Sequence, residues 1–111
     1  MTTINFDQLF QDLKTGAITL AKTSLDDYVE QAKADGQAAL DAMKTNLSHW
    51  TQEVENGALT VEDLEFLLQE EAALDEMTAL KQAGLAEVRI DQFKNALINL
   101  VLGTVTSLIK I

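Results

Sequence analysis

The sequence predicts an all-α fold, a helical hairpin or bundle, and three observations carry that prediction. There is no proline and there are only five glycines in 111 residues, so little in the chain forbids helix. Ala, Leu, Glu, Gln, Lys and Met fill long stretches, and all are good helix formers. Apolar residues recur three and four apart, the spacing that gathers them on one helical face. With 47% apolar residues the composition is that of a globular protein rather than a disordered one. The length fits one domain, residues 1–111, with a core of its own.

The first helix begins at a cap. Asn5 is the capping residue, Gln8 at the third helical position completes a capping-box-like pair, and Ile4 and Leu9 occupy the positions of a hydrophobic staple. A stripe then runs through Phe6, Phe10, Leu13, Ala17, Leu20, Leu25, Val29, Ala32, Gly36, Leu40, Met43, Leu47, Trp50 and Val54. Asn56-Gly57 supplies the stop. The pattern predicts a long N-terminal helix over residues 5–56, roughly 75 Å at 1.5 Å per residue. Gly16 lowers its stability by about 1 kcal/mol relative to alanine. Asp35-Gly36 is where the helix would kink or break. The stripe keeps its phase across Gly36, which favours a continuous, bent helix; a break there would give four helices of comparable length.

The second helix spans residues 61–83. Thr60 caps it, Asp63 completes the box, and Leu59 and Leu64 form the staple. Glu62, Asp63 and Glu65 fall in its first turns, where the helix dipole favours negative charge. Leu64, Leu67, Leu68, Leu74, Met77 and Leu80 form its buried face, and Gly84 with Leu85 has the form of a Schellman stop.

The third helix starts at residue 86, or at 91 with Asp91 as its cap, and runs to 110. Phe93, Leu97, Leu100, Val101, Leu108 and Ile111 cluster on one side of its wheel. Ile98, Leu102, Val105 and Ile109 widen that face to roughly 200°, against about 100° for an ordinary surface helix. Only Asn95, Asn99, Gly103, Thr106 and Lys110 make a polar or small stripe. Its uncharged stretch of 15 residues, 95–109, reaches about 22 Å as a helix, short of the ~30 Å hydrocarbon core. A conventional transmembrane span is therefore not expected.

Charge and chemistry narrow the function. The formal charge is −10, and between Lys44 and Lys81 there are nine acids and no base. Such a chain repels nucleic-acid phosphates and, outside its mildly basic C-terminal part, anionic lipid headgroups. There is no cysteine, which removes disulfides, thiol chemistry and cysteine zinc sites and fits a cytoplasmic location. The N-terminus lacks the basic and apolar regions of a signal peptide. A single histidine, with no glycine-rich phosphate loop, no calcium loop and no Glu-x-x-His pair, calls for no catalytic residue, metal or cofactor. His49 and Glu53 stand one turn apart, a spacing met far more often in surface contacts than in catalytic pairs. Trp50 lies on the apolar stripe and is expected in the core, the alternative being an aromatic anchor for a partner.

The expectation is a non-enzymatic scaffold or adaptor that acts through self-association and protein contacts. A helix of 75 Å exceeds what two shorter helices can cover, so a second copy, a dimer first of all, would cover the rest. The candidate interface is Phe6, Phe10, Leu13, Leu20, Leu97, Leu100, Val101, Val105 and Leu108. Glu62, Glu65, Glu70, Asp75 and Glu76 form a candidate acidic face for a basic protein partner. The alternative is a membrane-surface protein that uses its apolar C-terminal helix.

Overall fold

The computed structural model describes residues 5–109. Its elements are α1 (Phe6–Ser24), a 3-10 turn (Asp26–Tyr28), α2 (Val29–Ala42), α3 (Lys44–Glu55), α4 (Val61–Gln69), α5 (Ala72–Glu76), α6 (Thr78–Gln82) and α7 (Glu87–Ile109). They make four rods: α1, then α2 with α3, then α4 to α6, then α7. The first rod packs against the second and fourth, and the third also lies between the second and fourth. Lys14 pairs with Asp41, Asp75 with Lys94, and Val61 and Ile109 line the same hollow, so neighbouring rods run antiparallel. The result is an up-down-up-down bundle 46 × 23 × 20 Å in extent.

The all-α reading stands, and the long N-terminal helix is where the structure departs from it. The chain does not continue through residues 25–28, where a 3-10 turn reverses it, and it is interrupted again at Met43. At Asp35-Gly36, the predicted place for a break, α2 is uninterrupted. The reversal lies where Thr23, Ser24, Asp26 and Asp27 surround Leu25, and these short polar side chains compete with helix for the backbone. Folding back buries the stripe of α1 (Leu9, Phe10, Leu13, Ala17, Ala21) against that of α2 (Ala32, Ala39, Leu40). One chain thus covers a surface that a 75 Å helix would have left to a partner.

Both glycines of this region are contact points. A Cβ on Gly36 would lie 3.6 Å from Ala17 Cβ, 3.8 Å from Phe93 Cζ and 3.9 Å from Leu97 Cδ2, so three rods meet over it. A Cβ on Gly16 would lie 2.7 Å from Leu100 Cδ1. The α7 helix therefore lies closer to α1 there than an alanine would allow without moving Leu100.

Terminal signals behave largely as local chemistry demands. Asn5 Oδ1 accepts from Gln8 N–H at 3.1 Å, but the Gln8 amide donates to Asp12 at 2.9 Å instead of closing a capping box. Ile4, Lys110 and Ile111 lie outside the described residues. Thr60 and Asp63 form both bonds of theirs, at 3.0 and 3.1 Å. Gly84 has φ +86°, and Leu85 N–H reaches Leu80 C=O at 3.2 Å while Gly84 N–H reaches Lys81 C=O at 3.1 Å, the two bonds of a Schellman stop. The last helix begins at Glu87, so Asp91 lies inside it and caps nothing.

The predicted helix over 61–83 is three short helices, interrupted at Glu70 and Glu71 and again at Met77. Phase explains the first interruption. Leu68 and Leu74 are both buried, yet six residues of continuous helix would set them about 120° apart. A joint between them brings both to the core. At Met77 the backbone is left-handed, φ 39° and ψ 46°, a conformation that costs a non-glycine residue about 1–2 kcal/mol. In return Leu74, Met77 and Leu80 are all buried.

Two stability outcomes follow. The Thr51 hydroxyl is buried without a hydrogen-bond partner among the described residues, which costs about 1–3 kcal/mol. Thr51→Val is expected to raise the urea midpoint by the equivalent of about 1 kcal/mol with an unchanged slope; a lower midpoint would mean that the hydroxyl is satisfied. Gly16→Ala is expected to gain about 1 kcal/mol of helix propensity when Leu100 is trimmed to alanine, and less when it is present. A double-mutant cycle with coupling below about 0.3 kcal/mol would show that Leu100 simply moves aside.

Candidate binding surface

The nine nominated interface residues divide sharply. Phe10, Leu13, Leu97, Val101 and Val105 are buried in the core of the chain itself. Phe6, Leu20, Leu100 and Leu108 are partly buried at its edge. The wide apolar face of α7 turns inward in the same way, since Ile90, Phe93 and Ile98 join the core. A membrane-surface role would require those side chains to leave it. Among the described residues no helix is long and apolar enough to cross a membrane.

The acidic residues are also sorted by their surroundings. Asp75 is engaged on both sides: its carboxylate pairs with Lys94, and its carbonyl accepts from Lys81 Nζ at 2.7 Å. Glu76 borders a hollow between α2 and α5, and Glu65 is half-buried. Glu62 on α4 and Glu70 at its C-cap are exposed. Between them stands Phe66, 61% exposed. Glu62, Asp63 and Glu70 lie four and three residues before it and four after it, which places all three on its side of the helix. The result is an aromatic ring framed by carboxylates, on a segment that carries no base.

Phe66 was absent from the sequence-based site although its signal was there. Leu64, Leu67 and Leu68 already define the inward face of α4, so an aromatic at 66 falls off the stripe. Beyond Glu62, the end of the bundle holds an open hollow of about 450 Å³ lined by Val54, Glu55, Gly57, Leu59, Thr60, Val61, Glu62 and Ile109. Its walls mix apolar side chains with two carboxylates, the same chemistry as the Phe66 face.

Other candidates take ordinary places. Trp50 is half-buried and packs against the core. His49 is exposed and Glu53 half-buried one turn on. Lys14 and Lys44 lie over the Phe10 ring at 5.1 and 5.0 Å, a cation–π arrangement that ties α3 to α1. No group of three or more His, Cys, Asp or Glu among the described residues is arranged to hold a metal ion.

The most constrained polar group lies elsewhere, in the middle of α2. Asp35 is 8% exposed, and its carboxylate accepts from Ala79 N–H at 3.0 Å and Leu80 N–H at 2.8 Å. It thus caps α6 from more than forty residues away. These are first-turn amides with no partner inside their own helix. Compared with protein-family models, with curated proteins and with solved structures, the chain finds no match.

Proposed function

We propose that the protein is a non-enzymatic helical adaptor that works by binding protein, and that its docking face is the α4 surface centred on Phe66. The exposed ring carries this reading. A large aromatic left in water on an otherwise charged helix has apolar area to gain from a partner, and aromatic side chains are the usual energetic anchors of interfaces. The surrounding Glu62, Asp63 and Glu70 set the chemistry of that partner. It would be a basic segment that presents Lys or Arg around an apolar side chain, steered in by opposite charge.

Self-association belongs to the same proposal but rests on less surface. Only Phe6, Leu20, Leu100 and Leu108 remain near the exterior of the nine positions first considered. Light scattering at two concentrations tests this part: a dimer mass supports it, and a chain-mass species at both leaves the α4 face alone. A cytoplasmic site of action is part of the proposal as well.

The docking face is tested with a Lys- and Arg-rich amphipathic helical peptide titrated into isotope-labelled protein. Amide shifts are expected to centre on residues 62–70 and to weaken as salt is raised. Phe66→Ala, an exposed change with little effect on stability, is expected to weaken binding about tenfold. Shifts spread evenly over the acidic surface, with the Phe66 variant binding as tightly as the parent, would mean that charge alone attracts the peptide and would sink the reading.

A further inference from the structure

We infer that α5 and α6 form a latched flap, held shut by the Asp35 carboxylate, which opens as a unit while α1, α2 and α7 stay packed. The inference is independent of the docking face on α4.

Each helix of the flap is five residues long, far too short to hold itself together in water. Its order therefore comes from outside. The main ties can be named. Asp35 on α2 receives the Ala79 and Leu80 amides, Lys94 on α7 holds the Asp75 carboxylate, and Leu74, Met77 and Leu80 are buried beneath. Both ends are jointed, at Glu70 and Glu71 on one side and at Gly84, φ +86°, on the other.

Three further observations support a closed state that is held from outside. The joint between α5 and α6 is left-handed at Met77, and strain of that kind persists only where the surroundings over-determine it. The capping box at Thr60 and the stop at Gly84 bracket residues 61–83 as one helix, so local preference offers the segment another conformation. The seam against α2 is also thinly filled. Ala38, Ala39, Ala42 and Ala73 leave a hollow of about 100 Å³ beside Asp35.

Of the polar ties Asp35 lies nearest the strained joint, since its two bonds fall on the second and third amides after Met77. Release of that carboxylate lets Met77 relax and uncovers Leu74, Met77 and Leu80 together with the alanine face of α2. An apolar surface that the closed molecule withholds is then exposed in a minor state.

Native-state hydrogen exchange on the full chain tests this. In the parent protein, amides of residues 72–83 are expected to exchange by a local opening that depends little on denaturant, while α1 and α7 amides such as Leu13 and Leu97 follow the global transition. Asp35→Asn removes the charged acceptor and is expected to speed exchange of residues 72–83 at least about tenfold, leaving Leu13 and Leu97 unchanged. Lys94→Met is expected to speed the same amides by a smaller factor. Exchange of 72–83 through the global transition in the parent protein overturns the inference. So does an Asp35→Asn variant that leaves these amides unmoved or accelerates every helix equally.

Discussion

The course of the third rod depends on one carboxylate in the middle of the second. A buried acid must find donors, because its desolvation is costly when left uncompensated. A five-residue helix must in turn find acceptors for the amides of its first turn. Asp35 and α6 meet both needs at once, and the exchange fixes where α6 begins. With that start fixed, Met77 must turn through the left-handed region, and the turn brings Leu74, Met77 and Leu80 onto a single core. The neighbouring Gly36 serves the same crossing by leaving room for Ala17, Phe93 and Leu97. The Asp35-Gly36 pair is thus the point where the rods are keyed together.

This explains which parts of the fold were legible in the sequence. Signals settled by a few adjacent residues came through: the Asn5 cap, the Thr60 and Asp63 box, the Asn56-Gly57 stop and the Gly84 stop all act where they were read. The inward stripes were also legible, because burial follows periodicity wherever a rod is long. What failed was the continuity of helices between those signals. The reversal at residues 25–28 was written in Ser24, Asp26 and Asp27, yet a stripe that kept its phase outweighed them. The joint at Met77 has no local signature, since methionine is a good helix former and its strain is imposed from Asp35. At the candidate surface, Glu62 and Glu70 were found by charge, and Phe66 was passed over although its position off the stripe marked it.

The reversal at residues 25–28 also changes what the apolar surface means. Read as a helix of 75 Å, the N-terminal half had more stripe than its neighbours could cover, and a second chain was the natural remedy. Folded as two rods, the same residues cover each other, and five of the nine nominated interface positions become interior. Surplus apolar area inferred from sequence is only as secure as the helix length assumed, because halving a rod turns an intermolecular face into an intramolecular one.

What remains on the outside is then mostly polar, and the charge within it is unevenly distributed. Lys14 and Lys94 are engaged with Asp41 and Asp75, and Lys44 lies over Phe10. These bases are occupied in tying rods together. The acids of α4 have no base within their own segment, and the helix dipole favours Glu62 and Asp63 where they stand in the first turn. Their placement therefore suits the isolated fold, and charge alone does not single out α4 for recognition. Phe66 differs in kind. Neither capping nor dipole nor core packing calls for an aromatic at that position, and folding gains little from a ring that stays in water. It is the one residue of α4 that the fold leaves unexplained, and for that reason the one on which a binding role most directly depends.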